Sequence, residues 1–385
     1  MEIASARNDN LSLIGWCKVF NGRTVYKASK CLMTYIYHPF TFFFMPLYVI
    51  MSLQDSIAYF GGDPERWANG EAYAYGNAGF GTDADWLIWL VISLCISLYF
   101  IYVSGLSAKA GDIQNKVFLG AKFIPLLMTM VIGIIVVVWQ GGANVSASPV
   151  PSTELGNKTA EGIKSGTNNL AFAGMSPVLG MFIAIGAIFF AYDGFYTTAG
   201  IQTEMKEPKK TPFAIVLGLG ATTVVYLLIA IFTSLTGNGA ITGFEDYFFV
   251  KKCPWVLGLM NLLIAIGVCG IINAYCMWSP RFFEDLIADG ELPFSEKLIG
   301  KLNPHKPIVG VNYCAIIAVP SAIIFTLIGA LAFRVDNYGY SCWVYDGFDP
   351  MQFGIASYDA QHTFQPMANI YNFCDLSGTW TATFA

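Results

Sequence analysis

Charge is what this sequence has least of. Asp, Glu, Lys and Arg together make up 12% of its 385 residues, about half the roughly 25% usual in a soluble domain. So little charge cannot cover the water-facing surface of a chain this long, which excludes an ordinary soluble fold. Histidine is scarcer still. His38, His305 and His362 are the three in the chain, too scattered for an HExxH-type pair, so metal catalysis has no ligand set to work with. The nine cysteines show no CxxC spacing. Cys95, Cys269, Cys276 and Cys314 lie in apolar runs and read as small core residues. Cys253, Cys342 and Cys374 lie in polar loops, and their spacing gives no support to a disulfide among them. No cofactor motif is present. The net charge is −5 and no block of basic residues offers a phosphate footprint, so nucleic acid is not an expected partner. The opening "MEIASARNDNLSLIGW" lacks the basic region and apolar core of a secretory signal.

What the chain has instead is apolar length. Hydrophobic residues make up 55%, the mean hydropathy is +0.54, and 30 Phe, 20 Tyr and 9 Trp bring the aromatic share to 15%. Aromatics at this level suit helix packing and interfacial belts. A membrane-crossing helix needs about 20 mainly apolar residues. Seven segments qualify: Cys31–Leu53, Trp86–Leu106, Lys116–Trp139, Ser176–Gln202, Pro212–Leu235, Trp255–Ser279 and Val311–Phe333. The runs are continuously apolar, so they read as helices rather than barrel strands. The expected class is therefore all-α and integral to the membrane. Short links such as "SAKAGDIQNK", "EMKEPKKTP" and "SEKLIGKLNPHKP" hold most of the Lys and Arg, whereas the long link after the first span is acidic and Gly-rich. The positive-inside rule then puts the N-terminus in the cytoplasm. It puts the aromatic, polar tail from Arg334 onward outside. This divides the chain into residues 1–30 before the membrane, a seven-span unit at 31–333, and an extracytoplasmic tail at 334–385.

The fourth span carries the strongest signal. "SPVLGMFIAIGAIFF" is an ordinary apolar helix, but it runs into "AYDGFYTTAG". Gly194 and Gly200 each weaken a helix by about 1 kcal/mol relative to Ala. Asp193 costs roughly 2.5–3.5 kcal/mol if it sits at mid-membrane. Such costs are tolerated where backbone lines a cavity rather than lipid, and the freed carbonyls and amides then become ligands. The bland alternative is that Asp193 merely ends a short span. Lys122, in "KVFLGAKFIPLLMTMVIGIIVVVW", is a second charge in an apolar run. Pattern alone reads it as a lysine snorkelling to the nearby interface. Arg281 reads as a positive anchor just beyond the sixth span.

Three stretches together resemble the amino acid–polyamine–organocation (APC) permeases. "FFAYDGFYTTAGIQTEMKEPKKTP" resembles that family's broken sixth helix and the turn that follows, at Phe190, Ala191, Tyr192, Gly194, Phe195, Glu204, Pro208 and Pro212. "GAKFIPLL" resembles its fifth helix at Lys122, Pro125 and Leu126. "SPRFFEDLIADGELP" resembles the loop after its eighth helix at Arg281, Asp289, Gly290, Leu292 and Pro293. "EIASARND" also looks like the end of the family's second helix, with Glu2 at its acidic position. The resemblance implies a LeuT-like inverted-repeat transporter fold. The seven spans would correspond to helices three to nine of twelve, with the tail leading towards an incomplete tenth helix, so that the fold is truncated at both ends.

The function so implied is secondary active transport of amino acids, or related amines, across the cell membrane by alternating access. In the family the substrate ammonium sits on carbonyls where the sixth helix is unwound, which points to Phe190, Ala191, Tyr192, Asp193, Gly194 and Phe195. Phe190 would be the aromatic lid over the substrate. Lys122 resembles the fifth-helix lysine that replaces a sodium ion, which favours a proton or an exchanged amino acid as coupling partner. Tyr35, Tyr37, Asn273 and Tyr275 could line the pocket by position, with ordinary packing the expected role of each. Two other readings compete. One is a truncated permease remnant that does not transport. The other is a membrane-embedded enzyme, for which the nearest pairing, Asp193 with His38, has no supporting spacing.

Overall fold

Apolar segments longer than a bilayer is thick become helices, because a backbone deprived of water must satisfy its own hydrogen bonds. The computed structural model describes residues 11–61, 80, 82, 84–139, 192, 194, 197–200, 208–235, 248, 253–303, 306–332, 367, 370, 371, 373 and 374. All regular structure among them is helical. A short α1 (Ser12–Phe20) turns at Asn21 into α2 (Gly22–Leu32). A π-helical turn at Met33–Tyr37 joins α2 to α3 (His38–Phe60) without a break. There follow α4 (Asp85–Leu106), α5 (Ala108–Trp139), a single turn α6 (Thr197–Gly200) and α7 (Thr211–Leu235). After these come α8 (Trp255–Ala288), the short α9 (Ser295–Leu298) and α10 (Ile308–Leu327), which ends in a second π-helical turn at Ile328–Ala332. Among the described residues, six helices are long and apolar enough to cross a membrane. They match six of the seven expected spans. The other, 176–202, lies outside the described residues apart from Tyr192, Gly194 and Thr197–Gly200.

The first span runs Gly22–Phe60, past both ends of the expected Cys31–Leu53, and two further span ends differ from the sequence reading. The segment "SAKAGDIQNK" is not a link: α5 starts at Ala108, leaving Ser107 as the whole connection to α4. Ser107 is extended and caps the new helix, its Oγ accepting from Ala110 N (3.3 Å) and its carbonyl from Gly111 N (3.0 Å), which satisfies amides that a helix start leaves orphaned. The polar first turns then gain an i,i+4 pair, Asp112–Lys116 (2.7 Å). The second difference is in α8, which continues through Pro280 and Arg281 to Ala288. Arg281 is therefore no anchor in a loop. It is buried within the helix, its guanidinium donating back to the Met277 carbonyl. Proline has no N–H for the Cys276 carbonyl, but neighbouring helices close tightly over this point. A Cβ on Gly105 of α4 would lie 3.2 Å from Pro280 Cγ, and one on Gly310 of α10 only 2.0 Å from the Pro280 carbonyl oxygen.

The centre of the bundle is α8, packed against α3, α4, α5 and α10. It runs antiparallel to α5 along a line of small residues. Gly111 faces Met277, Gly270 faces Phe118, and Gly267 lies under Lys122; a Cβ at the first two glycines would come within 2.7 and 2.8 Å of the facing side chain. Without a hydrophobic drive between helices in lipid, such close backbone approach is what holds them. Asn273 adds a polar tie, donating to the Gly111 carbonyl (3.0 Å), while its Oδ1 lies 2.6 Å from Ser104 Oγ. His38 is fully buried among the rings of Tyr275, Trp278, Phe282 and Phe283 and stacks on Phe282 at 4.9 Å. Its Nδ1 lies 2.7 Å from the Met33 carbonyl, which the π turn leaves in reach.

Two cysteine readings change. Cys95 is exposed on the outer surface of α4, where apolar character serves lipid as well as it would serve a core. Cys374 is buried, with Met367, Ile370 and Tyr371, against Phe43, Phe44, Leu47 and Ile50 of α3. It donates to the Phe44 carbonyl (3.7 Å), and the Tyr371 hydroxyl donates to Gln54. The described part of the tail thus belongs to the bundle. Helix α7 is the outlier, resting mainly on α5 and α6 and exposing Phe213, Leu217, Val224 and Leu227.

Candidate functional site

One cavity of about 240 Å³ opens where α3, α5, α6 and α8 meet. Tyr37 and Thr41 form its wall at the π turn and the start of α3. Asn115, Phe118 and Lys122 enter from α5, Gly194 and Thr197 from the broken segment, and Gly267, Gly270 and Tyr275 from α8. Gly267 and Gly270 let the backbone of α8 close on Lys122 and Phe118 of α5, so that this part of the wall is backbone. Lys122 is the one charged side chain among the described residues that line the cavity. Its stem lies along Gly267, whose Cβ would touch Lys122 Cβ at 3.5 Å. Since α5 begins at Ala108, Lys122 stands about 21 Å along it at 1.5 Å per residue, midway rather than at an end.

Gly194 has φ +88°, a backbone region that other residues enter only at a cost. The turn it makes is closed by Thr197, whose N (3.1 Å) and Oγ1 (2.7 Å) both donate to the Gly194 carbonyl. A carbonyl has two lone pairs, so this oxygen is fully engaged in starting α6, and Gly194 gives the cavity its wall rather than a free acceptor. α6 then runs onto α8, where Gly200 lies so close to Trp278 that a Cβ would sit 2.1 Å from the indole. Tyr192 points away to α7, its hydroxyl donating to Thr223 Oγ1 (3.0 Å) and its ring meeting Tyr226 edge-on at 5.5 Å.

Of the residues singled out in the sequence, the fold brings Lys122 and Gly194 into one cavity. Phe190, Ala191, Asp193, Phe195 and Glu204 lie outside the described residues. Pro208 opens a 3₁₀ turn, Pro208–Lys210, and Pro212 stands in the first turn of α7. Among the four tyrosines and asparagines proposed by position, Tyr37 and Tyr275 line the cavity. Tyr35 is 52% exposed and Asn273 is spent on Gly111. Thr41, Asn115 and Thr197 were not singled out, because short polar residues in helices carry no pattern of their own. Among the described residues no three His, Cys, Asp or Glu side chains gather as a metal site.

At the other end of α8, Asp289 and Gly290 form a helix stop. Gly290 has φ +73°, its N donates to Ile287 O (3.0 Å), and Glu291 N reaches back to Leu286 O (2.9 Å), a Schellman-type finish. The finish sets Asp289 and Glu291 side by side. Lys18 of α1 pairs with Asp289 (2.7 Å), and Lys30 of α2 pairs with Glu291 (2.7 Å). The hydrogen bond to Asp289 raises the Lys18 pKa. For Glu291, burial acts upward, but the hydrogen bond and charge of Lys30, with the charge of Lys18, outweigh it and lower the carboxyl below its usual value.

Long apolar helices closing on a partly polar cavity define a multi-pass membrane protein. Comparison with known proteins narrows the class. The family described as Amino acid permease matches residues 1–347, and the chain belongs to this family, within the APC superfamily. It is 44% identical over 394 residues to an uncharacterized protein of Mycoplasma pneumoniae, a match covering 100% of this chain and 65% of that protein. It is 24% identical to the serine/threonine exchanger SteT of Bacillus subtilis, over 54% of this chain and 43% of the exchanger. Against the b(0,+)-type amino acid transporter 1 of Rattus norvegicus it is 23% identical, over 64% of this chain and 46% of the transporter. The chain thus spans less than two thirds of the length of each of these relatives.

Proposed function

We propose that this protein moves amino acids, or related amines, across the cell membrane by alternating access, with the cavity beside Lys122 and Gly194 as its solute site. The family match and the transporter relatives support amino acid transport in general. The observation that carries the site is the meeting of Lys122 and the Gly194 turn in one glycine-walled cavity. The fold is then LeuT-like, built on inverted repeats around a discontinuous helix, with the N-terminus in the cytoplasm. The first cytoplasmic segment is 1–30, the membrane unit is 31–333, and the tail 334–385 enters from outside. No covalent step is needed, and the work is done by which side of the cavity is open.

Lys122 supplies the coupling. Its ammonium fills the place of a bound cation, so a proton or an exchanged amino acid, rather than sodium, drives the cycle. With Gly194, the residues Phe190, Ala191, Asp193 and Phe195 of the same stretch are proposed to hold the solute. The test is uptake of single radiolabelled amino acids by the purified full chain in liposomes, with and without a proton gradient, and counterflow against an internal pool. Uptake that Lys122→Gln uncouples from the proton gradient supports the proposal. Failure of every amino acid in both uptake and counterflow would sink it.

A further inference from the structure

The charged end of α8 lies apart from the cavity, and the transport reading leaves it without a role. Lys18 Nζ lies 2.7 Å from Asp289 Oδ2 and 3.6 Å from Glu291 Oε1, and Lys30 Nζ lies 2.7 Å from Glu291 Oε2. Between the two lysines stands Tyr26, buried, with the ammonium groups 5.3 and 5.8 Å from its ring centroid. These contacts tie the α1–α2 hairpin to a stop that Gly290 turns into place. Under the charges, Leu11 and Ile14 are buried in one cluster with Leu286, Ile287 and Leu292. The hairpin also touches α6 through α1. α6 starts at the Gly194 turn and rests on Trp278. One hairpin therefore contacts both the segment that carries the Gly194 wall and the helix that supplies Gly267, Gly270 and Tyr275 to the cavity.

We infer that the α1–α2 hairpin is a latch: bound through Lys18 and Lys30 to Asp289 and Glu291, it holds α6 against α8 and keeps the cavity shut at that end. The chemistry suits repeated opening. The Lys18–Asp289 pair is 37% and 41% exposed, and exposed ion pairs are weak and screened by salt. The Lys30–Glu291 pair is better sheltered, at 15% and 21%, and serves as the firmer catch. The cavity being the solute site is taken from the transport reading; the latch itself is a statement about opening.

Hydrogen–deuterium exchange on the full chain in lipid nanodiscs tests it. Lys30→Glu and Glu291→Lys should each raise exchange about tenfold in α6 and in residues 12–32, the scale of a local opening, and leave the middle of α8 unchanged. The double reversal, Lys30→Glu with Glu291→Lys, should restore protection. Wild-type protein moved from low to high salt should loosen the same segments and no others, a measurement that stands even where a single reversal fails to fold. Unchanged exchange in α6 after either single reversal or added salt overturns the latch, as does a double reversal that stays open. Liposome uptake by the same variants separates the two ideas. A wild type that transports nothing yet opens as described fails the transport reading alone, and one that transports without this opening fails the latch alone.

Discussion

Replacing Gly310 by alanine is the sharpest probe of how tightly α10 is seated. The new Cβ would stand 2.0 Å from the Pro280 carbonyl oxygen, 2.7 Å from its carbon and 3.0 Å from Glu284 Cγ. Ordinary contact begins at 3.4 Å, so α10 must retreat by about 1.4 Å, and neither neighbour at Pro280 is a side chain that can turn aside. Overpacking of this kind costs about 1–3 kcal/mol, and a backbone clash belongs at the upper end. The retreat also pulls on the Glu284 carboxyl, which accepts from Gly310 N (3.2 Å) and from Val309 N and so caps the first turn of α10. A hydrogen bond to a charged group adds about 1.5–3 kcal/mol. The expected loss is therefore about 3 kcal/mol or more, read as a fall in the thermal midpoint of the detergent-solubilised protein. Gly220→Ala in α7 is the control, because no described residue lies within 4 Å of its Cβ; removing a helix glycine there should stabilise by up to about 1 kcal/mol. If Gly310→Ala melts with the wild type, the close crossing of α8 and α10 at Pro280 is wrong.

Three further outcomes are expected. Gly194→Ala should destabilise by about 1–2 kcal/mol, the cost of a left-handed backbone for a residue with a Cβ, and Gly194→Asn by less; equal melting of all three would count against the turn. Gly200→Ala should displace α6 from Trp278, because the Cβ would fall 2.1 Å from a fully buried ring, and should be read as increased protease cleavage between α6 and α7. The pH dependence of the latch follows from its two shifted groups. Glu291 is lowered, so its contribution is whole above its ordinary 4.5 and fades as pH falls through its folded value. Lys18 is raised, so its contribution is whole below 10.5 and fades as pH rises through its folded value. Melting should therefore be flat between these limits as far as the latch is concerned, and Glu291→Gln should remove its share of the acid limb.

The spans were legible because length and apolarity act locally. "DWLIWLVISLCISLYFIYVSGL" must be a helix in lipid whatever packs beside it. Their ends were less legible, because polar residues at a helix end look like a loop until the cap is seen. Ser107 and the Asp112–Lys116 pair make "SAKAGDIQNK" helical, and the glycines of α4 and α10 let α8 pass through Pro280. Lys122 and Gly194 drew attention as a charge and a breaker in apolar runs. Their shared cavity did not, since its walls come from segments far apart in sequence, with Gly267 and Gly270 of α8 closing on Lys122 and Phe118 of α5. The latch was the least legible. Asp289 and Gly290 stood in a recognised motif, but Lys18, the partner of Asp289, lies 271 residues away in sequence, and Lys30 carries no pattern that marks it out from other basic residues before a span.

Because α8 meets α3, α4, α5 and α10 through glycines at Gly258, Gly105, Gly267, Gly270 and Gly310, it has no slack to tilt on its own. Among the described residues it works as a fixed spindle, and the parts freer to turn about it are α7, which rests mainly on α5 and α6, and the α1–α2 hairpin, which is held through ion pairs. Substitutions should sort the same way, with the lipid-facing side of α7 open to drift and the glycines around the spindle closed to anything larger.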